Sequence, residues 1–143
     1  MPSRIPRYGI VASRFNREIT EKLLRGALGL FQSKRLPRSR IDIVWVAGAF
    51  ELPQAALRMA RSRRYQGIVA VGCILAGQTP HFTFLSQATL QGLTMAGLLT
   101  GVPVTCGVIT AKRWQHALER ARYHGLNRGE EAAQAAWDLA HAR

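Results

Sequence analysis

Between Tyr65 and Ala111 the chain contains no Asp, Glu, Lys or Arg. A charge-free run of that length has to be largely buried, in the core of the chain or against other copies of it, because water does not tolerate so much bare apolar surface. Its first part, Gly67 to Leu75, is almost continuously apolar, the pattern of a central parallel strand covered on both faces. Parallel strands require crossover connections, and the remaining sequence supplies them.

Tyr8 to Ala12 reads as a short buried strand. From Asn16 to Phe31, Ile19, Leu23, Leu24, Ala27, Leu28 and Phe31 recur at helical spacing, with Glu18 and Glu21 near the end where the helix dipole favours them. Ile41 to Val46 is β-rich and apolar, a second strand. Phe50 to Ala60 reads as a helix in which Pro53 falls in the tolerant first turn. A long helix over Phe82 to Thr100 and a strand over Val102 to Thr110 follow. Two closing helices, about Arg113 to Arg122 and Arg128 to Ala142, are parted by a turn near Gly125. Such alternation builds right-handed βαβ units. The expectation is one doubly wound α/β domain over residues 1–143, with four parallel strands between two helical layers.

Length and composition agree. The 143 residues, 48% hydrophobic, suffice for one core without staples. Cys73 and Cys106 lie in separate apolar runs without metal spacing, which fits small buried hydrophobes in a reducing cytoplasm. The start, MPSRIPRYGIV, lacks the apolar region of a signal peptide, and no segment reaches the ~20 apolar residues of a membrane helix. A soluble cytoplasmic protein with no membrane partner is expected.

The net charge of +12 attracts anions: nucleic acid, acidic protein, a membrane surface or phosphorylated metabolites. Lys and Arg crowd residues 4–64 and 112–143. The basic segment SKRLPRSR reads as a solvated connection rather than a nucleic-acid patch, and nucleic acid is not expected as a partner, since no motif for it stands out. Phosphate loops of the G-x-x-x-x-G-K-[ST] type, G-x-G-x-x-G and nucleophile elbows are absent. Four scattered histidines give no metal site.

Ligands of doubly wound folds sit at the carboxyl ends of the strands. After the first strand comes Ser13-Arg14-Phe15-Asn16, whose aromatic either stacks on a planar ligand or caps the core. After the second, Ala47-Gly48-Ala49-Phe50-Glu51 offers small residues, an aromatic and a carboxylate. Glu51 there is best read as favouring a helix start. After the third comes Ala76-Gly77-Gln78-Thr79-Pro80-His81. Thr79 as helix cap and Pro80 at the first helical position would let the amides of Gly77, Gln78 and Thr79 converge on a phosphate or carboxylate. His81, in the first turn, is disfavoured as imidazolium by the dipole and so available as a proton acceptor. The alternative is an ordinary strand-to-helix turn with an exposed histidine.

Taken together, GIVASRFN (9–16), VAGAFELP (46–53), GCILAGQTPHF (72–82), GVIT (107–110), ALERA (117–121) and NRGEEAA (127–133) resemble the lumazine synthase family, in the family's order and over nearly the whole chain. The resemblance implies a flavodoxin-like three-layer α/β/α sandwich, a subunit of a homopentamer or a higher assembly, with riboflavin synthase as a further partner and no cofactor or metal. It implies condensation of 5-amino-6-ribitylaminouracil with 3,4-dihydroxy-2-butanone 4-phosphate to 6,7-dimethyl-8-ribityllumazine, releasing phosphate and water. By the same resemblance Phe15 and Phe50 line the pyrimidine site. Ala49 to Glu51 and Cys73, Ile74 and Leu75 hold the uracil edge and ribityl chain. Gln78 and Thr79 offer amides to the phosphate-bearing substrate, Arg120 pairs with its phosphate, and His81 transfers protons. Arg128 and Glu131 take the places of a Lys and a Glu near the site. Since the family's site straddles two subunits, Cys106, Arg120 and Arg128 are expected from a neighbour.

Departures from the family pattern are local. Ala76 stands where Arg is usual and Thr83 where Asp or Glu is usual, so both members of an ion pair are missing together. Cys106 replaces an aromatic, and Arg128 a lysine. Those changes motivate the alternative of a non-catalytic or weakly active flavin- or lumazine-binding relative.

Overall fold

Every residue of β1 (Tyr8–Ser13) is buried, as is all of β3 (Gly67–Leu75) except its last position. These two strands form the middle of an all-parallel sheet in the order β2-β1-β3-β4, with β2 spanning Ile41–Val46 and β4 Val104–Ala111. The computed structural model describes residues 5–142. Alternation along the central strands divides the core in two. Tyr8, Ile10, Ala12, Val69, Val71 and Cys73 belong to the layer under α1 (Arg17–Ser33) and α5 (Arg128–His141). Val11, Ile68, Ala70 and Ile74 belong to the layer under α2 (Leu52–Arg61) and α3 (His81–Thr100). A short helix, α4 (Trp114–Glu119), follows β4. The result is the expected α/β sandwich, and its strand order is that of the flavodoxin-like class.

The helices close tightly where the sequence provides glycine. A Cβ on Gly129 would collide with the backbone of Leu23, and one on Gly26 with the side chain of Asn127, so α1 and α5 meet at a distance only glycine permits. Asn127 is itself 1% exposed and fully engaged. Its Oδ1 accepts the Glu130 N–H at 3.0 Å, capping α5, while Nδ2 donates to the carbonyls of Lys22 (3.1 Å) and Arg122 (3.2 Å).

Three readings of the sequence shift. The helix expected from Arg113 to Arg122 stops at Glu119, because the chain folds back: the Arg122 N–H donates to Leu126 O, the Arg128 N–H to Arg120 O, and Ala121 bridges Asn127 in antiparallel sense. Cys106, expected to be buried, is exposed, because it lies on β4 at the edge of the sheet. Cys73 is buried as expected, and burial pushes its thiol up to about 11. The charge-free run is only half covered. β3 is enclosed and α3 buries Ser86, Thr89, Leu93, Ala96 and Thr100 at helical spacing, but Phe84, Leu98 and Leu99 on its other side are 65%, 75% and 62% exposed.

Candidate functional site

The loops after β1, β2 and β3 converge on a cavity of about 540 Å³ at the carboxyl ends of the strands. It is lined by Phe15, Gly48, Ala49, Phe50, Cys73, Ile74, Leu75, His81 and Leu85, with Asn16 at its edge. Phe15 and Phe50 are 72% and 66% exposed. Leaving a Phe side chain in water forgoes roughly 1.5–3 kcal/mol of burial, so two bare rings bordering one apolar cavity suit a flat ligand between or against them.

The loop carrying Phe15 is held by three hydrogen bonds to the two neighbouring strand ends. The Arg14 N–H donates to Val46 O at 2.8 Å and the Phe15 N–H to Ala47 O at 3.0 Å, tying it to the end of β2. Asn16 adopts the left-handed conformation (φ 58°, ψ 43°) and its Nδ2 donates to Cys73 O at 2.9 Å, tying it to the end of β3. Asn is among the few non-glycine residues that accept this conformation at low cost. The sequence reading left Asn16 unassigned as a site residue; its signal was an Asn directly before a helix, but its partner lies 57 positions away.

Phe50 rides on a 3-10 turn over Ala49–Glu51 that leads into α2. The carboxylate of Glu51 turns back to accept the Gly48 N–H at 2.9 Å and closes that turn. The helix-start reading of Glu51 therefore describes its side chain, and the cavity is bordered by Gly48, Ala49 and Phe50 instead.

The turn after β3 is sparsely held. The Ala76 N–H donates to Ala111 O at 3.0 Å, and among the described residues the N–H groups of Gly77, Gln78 and Thr79 find no protein acceptor. Helix α3 begins at His81, and Pro80 rather than Thr79 takes the cap position, its carbonyl accepting the Thr83 N–H at 3.0 Å, because the Thr79 side chain makes no close capping bond to the second or third helical amide. Thr79 Oγ1 accepts the His81 N–H only loosely, at 3.4 Å. Three amides without protein acceptors next to the start of a twenty-residue helix are donors open to an anion, the cradle expected from the sequence. The exposed His81 stands between that cradle and the aromatic cavity.

Of the remaining expected residues, Cys106, Arg120, Arg128 and Glu131 do not border this cavity. Arg120 caps α4 by donating from Nη1 to His116 O at 2.8 Å, and Arg128 pairs with Glu131 at 2.7 Å on the exposed start of α5. Gln78 and Thr79 lie at the cradle, beside the cavity rather than in its wall. No group of His, Cys, Asp and Glu able to hold a metal ion occurs among the described residues.

Fold and cavity define a flavodoxin-like α/β protein with a small-molecule site at the carboxyl ends of its strands. The sequence matches the family described as 6,7-dimethyl-8-ribityllumazine synthase over residues 6–143. It is 44% identical over 130 residues to 6,7-dimethyl-8-ribityllumazine synthase 1 of Caulobacter vibrioides, covering 91% of this chain and 85% of the relative. The chain belongs to the 6,7-dimethyl-8-ribityllumazine synthase family. It is thus a transferase of riboflavin biosynthesis, and the non-catalytic alternative is not favoured.

Proposed function

We propose that the cavity seats the ribitylaminopyrimidine, with its ring against Phe50 and Phe15, and that the turn after β3 receives the phosphate of the butanone phosphate. Ala49, Cys73, Ile74 and Leu75 border the ring and the ribityl chain, and Glu51 acts through the turn it closes. The free amides of Gly77, Gln78 and Thr79, at the positive end of the α3 dipole, are the donors that receive the phosphate. The two substrates are then held with amine and ketone adjacent, which converts a bimolecular condensation into a local one. His81 relays protons as the imine forms, phosphate leaves and the ring closes. What carries this reading is the placement of His81 between two exposed aromatic rings and a bare amide cradle.

The same reading includes an assembly. Cys106, Arg120 and Arg128 are remote from the cavity of their own chain, and α3 presents Phe84, Leu98 and Leu99 to solvent. A homopentamer or larger assembly that covers α3 and brings these residues over a neighbour's cavity accounts for both observations, with Arg120 on the phosphate and Arg128 and Glu131 in supporting places near the site. Riboflavin synthase, which consumes the product, is a further partner in this reading. The compartment is the cytoplasm, in keeping with two free thiols and, among the described residues, no helix long and apolar enough to cross a membrane.

The decisive experiment follows lumazine fluorescence after mixing the two substrates. His81→Ala is expected to lower kcat about 100-fold, the low end for a general acid–base residue, with an unchanged melting temperature because the ring is exposed. An unaltered kcat would remove His81 from the proton transfers, and a wild-type protein that neither turns over nor binds the pyrimidine would remove the whole assignment.

A further inference from the structure

The fold sorts the charges that the sequence merely sums. Of the 8 acidic residues, Glu18, Glu21, Glu51, Glu119, Glu130 and Glu131 lie around the carboxyl ends of the strands, among the basic residues of that end. Arg17 and Arg128 are neutralised there by Glu21 and Glu131. Only Asp42 and Asp138 lie toward the amino ends, and a carboxylate oxygen of Asp138 is occupied by Gln134 at 2.8 Å. At this end Lys34, Arg35, Arg38 and Arg40 crowd the α1–β2 connection. Arg61, Arg63 and Arg64 crowd the α2–β3 connection, and Arg7 stands before β1, which runs between β2 and β3.

Side-chain contacts join these residues into one strip. Asp42 accepts from Arg7 at 3.0 Å and from the Tyr65 hydroxyl at 2.7 Å, with Arg64 at 3.9 Å. Arg7 also reaches Ser39 O, Arg40 reaches Ile5 O, and Arg63 donates to Thr100 O at the end of α3. The Tyr65 hydroxyl, then Arg7 and Arg64, hold the Asp42 carboxyl below its usual range, so one anion at the centre organises a row of cations. Arg35, Arg38, Arg61, Arg63 and Arg64 remain exposed.

Backbone geometry adds an independent observation. Arg35 and Arg63 both have φ 61°, the left-handed region. Arg35 closes a Schellman turn, with its own N–H on Gln32 O and the Leu36 N–H on Phe31 O. Glycine is the low-cost residue at that position, yet both helices end with arginine in this conformation, on the same surface. A second cost is the mutual repulsion of so many cations around a single carboxylate. An external polyanion relieves the repulsion, and the planar forks of Arg match phosphate.

We propose that this basic strip at the amino ends of β2, β1 and β3 binds the phosphate backbone of nucleic acid without reading its sequence. Backbone binding needs no base-reading motif, which is why a motif search passes it over. A lipid surface fits less well, because a membrane-binding face places apolar side chains among its cations. Within the strip Leu36 and Ile41 are buried, and the exposed Leu98 and Leu99 at the end of α3 belong to the face that the proposed assembly covers, which leaves Ile5 beside the free cations.

The test uses the full-length assembled protein and a short fluorescein-labelled single-stranded oligonucleotide of random sequence, followed by anisotropy over a range of KCl concentrations. The expected result is binding whose logarithm falls with log salt at a slope of about −2 to −4, as for about three to five phosphates. Arg35→Glu/Arg38→Glu/Arg61→Glu should weaken it at least about 100-fold at low salt, with lumazine formation unchanged. Lys112→Glu/Arg113→Glu/Arg122→Glu, the same charge change at the other end of the strands, should weaken it less than about threefold. Should the first triple variant fail to fold, Arg35→Gly/Arg38→Gln/Arg61→Gln removes the charges while favouring the left-handed backbone. No binding at low salt, or equal losses in the two sets of variants, overturns the proposal. Tighter binding to phosphatidylserine vesicles than to the oligonucleotide at equal salt overturns it in favour of a membrane.

Discussion

Of the three turns around the cavity, the first and the third are built on opposite plans. The turn after β1 is fastened at Arg14, Phe15 and Asn16 to the ends of both neighbouring strands. The turn after β3 is fastened once, at Ala76, and then leaves the amides of Gly77, Gln78 and Thr79 without protein acceptors among the described residues. Stacking on a ring requires an aromatic held in one orientation, so the first turn spends its donors on the protein. In the proposed site a phosphate needs donors still free when the substrate arrives, and the second turn is the one that has them. Stability and function are thus separated between adjacent loops of the same cavity.

The sharpest way to break this contrast is Asn16→Ala. Alanine in the left-handed region costs about 1–2 kcal/mol, and the abandoned Cys73 carbonyl about 1–3 kcal/mol more where water cannot reach it. A loss of roughly 2–5 kcal/mol in urea unfolding is expected, together with a raised KM for the pyrimidine as Phe15 loses its support. A loss under about 0.5 kcal/mol would mean the turn is not held by this residue.

Next in size is Asn16→Gly, which keeps the backbone conformation and removes only the amide. It should cost about 1–3 kcal/mol, the hydrogen-bond part alone. The gap between the two variants then measures the left-handed strain. If glycine proves as damaging as alanine, the backbone contributes nothing and the amide everything.

How far the sequence reveals this division depends on the range of each interaction. β3 is legible to its last residue, because burial on both faces leaves an unbroken apolar word from Gly67 to Leu75. The aromatic and histidine residues at the strand ends are legible too, since the doubly wound pattern says which loops to read. The clamp by Asn16 is not, because its acceptor is a backbone carbonyl on another strand and carries no side-chain identity. Helix α4 is overextended for the same reason: apolar spacing cannot register the Ala121–Asn127 bridge that turns the chain. Glu51 shows a third case. One carboxylate fits either a ligand or the N–H of Gly48, and only the fold shows that it accepts the latter.

The smallest expected change in stability is also the one that tests the open turn most directly. A Cβ on Gly77 would have no atom within 4 Å, and its φ lies outside the left-handed region. Gly77→Ala should therefore leave stability unchanged or raise it by up to about 1 kcal/mol, through the lower entropy of the unfolded chain. If phosphate is received on the adjacent amides, the new methyl group stands in the path of the substrate. The KM for the butanone phosphate should then rise about 3- to 10-fold, up to roughly 1.4 kcal/mol of binding, with the pyrimidine KM unmoved. A chain that becomes more stable and binds its phosphate substrate less well is the signature of a backbone kept for the ligand. A stability loss above about 1 kcal/mol would instead show that this turn, like its neighbour, serves the fold.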